Sequence, residues 1–217
     1  MSQPVPLSAQ NWYDLFQIFF YIGLVAGTIT VAFMVHFIYT NRKRAQPVLE
    51  HVLGRSRARD AVIFGGISVV LLLSVSIASY RLSTQINTPP PASESILIRV
   101  YAFQWNYKFV YANNVTTIGN CTVPAGSKII FNVTALDVQH SFGLPAFKLN
   151  IAAIPGQYST LWITTPSLDG AKELVYQIHC YQYCGVGHPD MIANLTVVSP
   201  TAFNQWLAQS ATKTTGG

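Results

Sequence analysis

Charge is what this sequence has least of. Lys and Arg number 13 and Asp and Glu 8 among 217 residues, a tenth of the chain, while half of it is hydrophobic. A soluble domain carries about a quarter charged residues, so an ordinary water-exposed globule is excluded and a membrane is implicated. The net charge of +5 invites a nucleic-acid partner, but its distribution excludes one. Six of the thirteen basic residues (Arg42, Lys43, Arg44, Arg55, Arg57, Arg59) crowd one short loop, so they report topology and not a binding face. Cysteine is scarce too: three thiols are too few, and odd in number, for a disulfide framework. Cys121 reads as a small buried apolar side chain. The first fourteen residues lack a basic n-region, which excludes a typical signal peptide.

What the chain does have is two long uncharged runs. Leu15 to Tyr39 is 25 residues without a charge, and Ala61 to Tyr80 is another 20. About 20 apolar residues cross a bilayer. The basic loop between them is therefore cytoplasmic by the positive-inside rule, and both the N-terminal segment and everything after Tyr80 lie outside. Gly23 and Gly27 form a small-xxx-small pair suited to helix packing, and His36 near the inner end reads as a packed or interfacial side chain. The division expected is an exterior segment at 1–14, a transmembrane helical hairpin at 15–84, a linker at 85–95 and an exterior domain at 96–217. The linker holds Pro89-Pro90-Pro91, which favours extended polyproline II.

Beyond the linker the pattern turns to strands. Ile96 to Trp105, Lys128 to Thr134, Thr160 to Thr164, Leu174 to His179 and Met191 to Val198 are rich in β-branched and aromatic residues, with Gly, Pro and Asn between them. Short strands so spaced predict an all-β sandwich or Greek-key barrel. A short helix over Pro200 to Leu207 and a loose tail from Thr212 should follow. Four N-x-T sequons occur, at Asn114, Asn120, Asn132 and Asn194; the last two fall in strand-like runs.

The chemistry concentrates in His179-Cys180-Tyr181-Gln182-Tyr183-Cys184-Gly185-Val186-Gly187-His188-Pro189-Asp190-Met191. The spacing C-x3-C-x3-H-x2-M offers soft ligands, suited to copper or zinc and poorly to magnesium or calcium. His140 is the best candidate for a further ligand from elsewhere. The same spacing fits one face of a helix, but Gly185, Gly187 and Pro189 would each weaken or break one. A structural zinc site would use two Cys and two His, with no need of Met191. Cys184, His188, Met191 and His140 alone would make a mononuclear blue-copper set, leaving Cys180 unexplained. A second thiolate there can bridge to a second copper, giving a compact two-copper site that spreads the structural change on oxidation over two metals. His179, adjacent to Cys180 on a strand, should point away, and Asp137 reads as a residue that orients the His140 loop.

The stretch resembles the CuA loop of subunit II of haem-copper oxidases, the cytochrome c oxidase family. Asp137-Val138-Gln139-His140-Ser141-Phe142 is similar to the family's D-V-x-H-S-F, Ile154-Pro155-Gly156 to its I-P-G turn, and Gln104-Trp105 to the start of its aromatic stretch. The helical hairpin is the family's usual anchor, so the resemblance covers most of the chain. The form C-x-Q-Y-C-G-x-G-H is closest to the ba3-like branch. The resemblance implies a cupredoxin-like Greek-key domain holding two copper ions. Cys180 and Cys184 would bridge them, His140 and His188 would bind one copper each, Met191 would be a weak ligand to one and the Gln182 carbonyl to the other. Trp105 would sit near the surface where the electron donor docks. Gln182 stands where many members have a Glu whose side chain helps hold magnesium at the subunit I interface, which leaves that ion an open question for this chain. Tyr107 stands where many have a second Trp, and the acidic residue often found before the I-P-G turn is missing.

The function expected is a membrane-anchored relay in the plasma membrane, multi-pass, with its copper domain outside. It would take electrons from an external donor and pass them to haem in subunit I, where oxygen is reduced to water; further membrane subunits would complete the complex. From the linker onward the exterior part has five acids (Glu94, Asp137, Asp169, Glu173, Asp190) against six bases, little to steer a strongly basic cytochrome c. The donor expected is a neutral or acidic carrier, a cytochrome c or small copper protein, or else a partner complex held in contact. The alternatives are a membrane-tethered copper carrier or assembly factor, which would want an open site, and the CuA subunit of a nitric oxide reductase.

Overall fold

The computed structural model describes residues 6–42 and 55–214. Most of the basic loop, and with it the expected cytoplasmic turn, lies outside those residues, as do residues 1–5 and 215–217. The chain divides into two compact units, Phe16–Thr88 and Met1–Leu15 with Pro89–Gly217.

The first unit is helical. Helix α1 runs Leu7–Asn41 and α2 runs Arg55–Asn87, both longer than the charge-free runs inside them. Their apolar side chains stand exposed all round, Phe33, Phe37, Phe64 and Leu72 among them. A helix apolar on every face belongs in lipid or among other helices. The segments Trp12–Thr40 and Val62–Arg81 are long enough to span a bilayer. Their hydroxyls find partners within the helix, as lipid demands: Thr28 donates to the Leu24 carbonyl at 2.7 Å, Thr30 to Ala26 at 2.8 Å and Ser68 to Phe64 at 2.8 Å.

The second unit is two packed five-stranded sheets. One has the order β3 (Thr116–Ile118), β2 (Asn106–Val110), β1 (Ser95–Phe103), β5 (Lys128–Ala135), β8 (Ser159–Thr164). The other has β4 (Asn120–Pro124), β10 (Ile192–Val198), β9 (Glu173–His179), β6 (His140–Leu144), β7 (Leu149–Ala153). Pairs β1/β5 and β4/β10 are parallel and the other ladders antiparallel. The two-sheet β architecture expected from the sequence is the one found. Strands β1, β5, β8, β9 and β10 fall on the predicted runs to within two residues, while the other five were not anticipated.

The core follows the period of two that a half-buried strand imposes. Ile98, Val100 and Ala102 of β1 face Leu174, Tyr176 and Ile178 of β9 and Ala193, Leu195 and Val197 of β10 in one buried cluster. An aromatic group fills it toward the metal-ligand loop. Phe142 packs on Phe131 at 5.1 Å between ring centres, on Tyr107 at 5.8 Å and on Phe109 at 6.4 Å. Truncating such a ring to alanine costs about 3–5 kcal/mol, so Phe142 is both core and foundation for the adjacent His140. Helix α3 (Pro200–Thr214) takes in residues expected in the tail. It opens with Pro at its first position, Ser199 Oγ accepts the Ala202 N–H, and Phe203 and Trp206 lie against Tyr111.

Candidate metal centre

His140 opens β6, and every residue of that strand is buried. Its ring is tied at one nitrogen only. Nε2 lies 2.8 Å from Asp137 Oδ1, while Nδ1 is buried with no hydrogen-bond partner. A carboxylate beside Nε2 keeps the proton there and leaves the Nδ1 lone pair free, the tautomer a metal ligand requires. Burial opposes ionisation of Asp137, but hydrogen bonds from His140 and from the Gln104 and Val138 N–H groups outweigh it and hold the carboxyl below its ordinary range.

The two thiols come from the loop after β9. A donor atom of His140 and the sulfurs of Cys180 and Cys184 all lie within 4.8 Å of one another. The sulfurs are 3.9 Å apart and unbonded. His188 Nδ1 lies 3.5 Å from Cys184 Sγ, and Met191 Sδ lies 3.8 Å from it. The Cys180 thiol points at the Gln182 carbonyl at 3.1 Å. The structure thus gathers His140, Cys180 and Cys184 into one group, with His188 and Met191 against the Cys184 sulfur and the Gln182 oxygen against that of Cys180. Cys180, Cys184 and Met191 are no more than 7% exposed. Burial first, then the neighbouring Cys180 and Asp137, pushes the Cys184 thiol up to about 11. The donor set fits a soft metal: an orphaned buried imidazole nitrogen, two thiols and a thioether have no better use for their lone pairs.

The loop that carries them does not continue the strand. Gly185 has φ +117°, open to glycine without strain. The following one-turn 3₁₀ helix, His188–Asp190, presents His188 and delivers Met191 into the core. Three hydrogen bonds hold this loop, and a fourth fixes Ser141, which receives one of them. The Tyr181 N–H donates to Ser141 Oγ at 2.7 Å, and the Tyr107 hydroxyl donates to the Ser141 carbonyl at 2.6 Å. Burial and the nearby Cys180 push the Tyr107 phenol upward, so it stays a donor. The Cys184 carbonyl accepts from Gln104 Nε2 at 2.8 Å and from Trp105 Nε1 at 3.3 Å. A Cβ on Gly187 would stand 2.4 Å from a Trp105 ring carbon, and one on Gly143 would stand 2.4 Å from the Tyr181 ring. Those glycines are where an aromatic ring comes close against the backbone.

His179 turns to Gln177 and Tyr181 and takes no part in the cluster. Trp105 is 38% exposed, with its N–H on the loop. Cys121 is wholly buried among core residues. The parts of Gln104 and Ser141 were missed, although Gly-x-Gly at 185–187 signalled a close approach by some other element.

Residues 106–198 match the family model described as cytochrome C oxidase subunit II, periplasmic domain. The heme-copper oxidase subunit 2 of Aeropyrum pernix is 31% identical over 206 residues, covering 88% of this chain and 86% of the relative. Cytochrome c oxidase subunit 2 of Candida albicans is 25% identical over 232 residues, covering 94% and 84%. Among solved structures, the periplasmic domain of subunit II of cytochrome oxidase from Bradyrhizobium japonicum superposes with a TM-score of 0.52 at 26% identity, covering 58% of this chain and 99% of that one.

Proposed function

The chain belongs to the subunit II family of haem-copper (cytochrome c) oxidases, and from that premise we propose how it performs its part. It is the subunit through which electrons enter such an oxidase, a membrane protein whose cupredoxin-like domain lies outside the cytoplasm. The oxygen chemistry belongs to a partner subunit. In our reading both apolar helices cross the plasma membrane, within the division 1–14, 15–84, 85–95 and 96–217, and pack against haem-bearing subunit I and its neighbours. The Gln182 form of the ligand loop supports placement in the ba3-like branch.

The centre is read as dinuclear copper. Cys180 and Cys184 would bridge, His140 and His188 would bind through Nδ1, and Met191 and the Gln182 carbonyl would be weak outer ligands. Copper, when bound, supplies a one-electron couple. The chain does the rest. Asp137 holds the His140 proton at Nε2, the buried cluster excludes water, and Trp105 connects the surface to Cys184 through one hydrogen bond. The observation that carries the reading is the unpartnered Nδ1 of His140, facing two thiols that have not joined in a disulfide. The burial of the donors argues against an exchangeable copper-carrier site.

The donor is read from the same surface. Tyr181, Tyr183 and Val186 of the ligand loop are exposed, as is Trp105, and Asp190 is the one charged residue from Cys180 to Met191. A cytochrome c or small copper protein with a weakly charged face fits, and its reaction should change little with ionic strength. The test is copper stoichiometry with electron paramagnetic resonance on the full chain in detergent. Two coppers sharing one unpaired electron support the reading; a single copper, or zinc, sinks it.

A further inference from the structure

Gln104 makes two contacts at the metal centre that the electron-entry role leaves without a purpose. It begins the tight turn between β1 and β2 and touches both halves of the donor cluster. Its backbone N–H donates to Asp137 Oδ2 at 2.7 Å, and the other oxygen of that carboxylate is paired with His140. Its side-chain amide donates to the Cys184 carbonyl at 2.8 Å. The residue is otherwise exposed, so it adds little to the core. Ordering a long polar side chain at a surface costs rotamer entropy, and the partner it finds is the backbone of a candidate ligand.

We propose that Gln104 is a positioning residue for the metal centre, a bracket that sets Cys184 against His140. The inference rests on the two-copper reading above. His140 and Cys184 come from different segments, β6 and the loop after β9. Gln104 links them through two hydrogen bonds, one from its main chain to Asp137, the partner of His140, and one from its side chain to Cys184. The bracket is anchored where β1 ends: β1 lies between β2 and β5 in its sheet, and its Ala102 carbonyl accepts the Leu136 N–H at 2.9 Å. Trp105 shares the Cys184 carbonyl, but at 3.3 Å its bond is the longer and weaker. With both donors in place the carbonyl's two lone pairs are used, and water has no claim on the peptide beside the thiolate. The fit is tight: a Cβ at Gly185 would lie 3.0 Å from the Gln104 amide nitrogen.

The test uses the full-length chain in detergent, loaded with copper. Gln104→Leu keeps the volume and the main-chain bond to Asp137 and removes only the side-chain donor. The expected result is copper retention against a chelator weakened by about tenfold, within the range for partners that orient metal ligands. The copper hyperfine splitting and visible band should shift, while the melting temperature of the copper-free chain holds. Trp105→Phe removes the second donor, and the double variant should fall short of the combined single effects because both act on one carbonyl. Should Gln104→Leu not accumulate, Gln104→Asn, one methylene too short to reach, replaces it. Wild-type retention and spectra in the variant overturn the proposal alone. A wild-type chain that binds a single copper overturns the two-copper reading and this inference with it.

Discussion

Tyr107 and Tyr111 stand at opposite ends of β2 and make the same kind of tie. Each buried hydroxyl crosses to the other sheet and donates to a main-chain carbonyl, Tyr107 to Ser141 at 2.6 Å and Tyr111 to Thr122 at 3.0 Å. Each has cysteine beside it. At the Tyr111 end the hydroxyl also accepts the Thr122 N–H at 2.8 Å, the lone thiol of Cys121 rests 3.8 Å away, and Phe203 and Trp206 of α3 lie against the ring. There the hydroxyl both donates and accepts within the protein. At the Tyr107 end two thiols, a thioether and the His140 nitrogen converge with no such closure. Tyrosine and cysteine are common to both ends, so residue type does not separate structure from function here. What separates them is whether the donors are already used.

The comparison breaks most sharply on its cysteines. Cys180→Ser should abolish the two-copper signal in electron paramagnetic resonance and halve the bound copper, whereas Cys121→Ser should leave both intact. An unchanged signal in Cys180→Ser would put that thiol with Cys121 as packing. Next in size is Asp137→Ala, which leaves the His140 proton without its acceptor. Copper affinity, read by chelator competition, should fall about tenfold to hundredfold.

A third prediction concerns pH. The Cys184 thiol, pushed up to about 11, is protonated near neutrality and must release its proton to bind metal. A raised value means that the metal-free fold favours the proton. Apparent copper affinity should therefore climb with pH by about tenfold per unit for each proton displaced, levelling off only as pH approaches 11. A flat profile between pH 6 and 8 would show thiolate already present. The smallest effects come from the tyrosines. Tyr111→Phe strands the buried Thr122 N–H and should cost about 1–3 kcal/mol in denaturant unfolding with copper spectra untouched. Tyr107→Phe should cost about 1 kcal/mol and also move the visible band, since Ser141 moors the ligand loop.

The helices were legible because their signal is compositional: long uncharged runs leave few alternatives. Strands β1, β5, β8, β9 and β10 were legible through β-branched and aromatic runs. Strand β6 was not, because all five of its residues are buried and it carries His, Ser and Gly, so it neither alternates nor looks apolar. Strand β4 hides similarly behind Asn120 and Pro124. The metal-donor cluster was legible as a set of soft side chains, and Asp137 as the partner of His140, because both announce themselves by residue type. Gln104 did not. A hydrogen bond to a backbone carbonyl leaves no mark on the receiving residue, and nothing in Gln104-Trp105 says that Cys184, far along the chain, is its acceptor. Gly187 carried half the message: it told of a close approach without naming Trp105.

The ring of Trp105 close against Gly187 also bears on how such a domain can be rebuilt. The ligand loop is cast against the β1–β2 turn, as a coin is cast against its die. Grafted into another two-sheet scaffold, residues 180–191 would bring every donor but His140 and lose the surface that shapes them. A working transplant must carry Gln104, Trp105 and the stretch from Asp137 to His140 as well, so the unit that can be exchanged is three segments from distant parts of the chain.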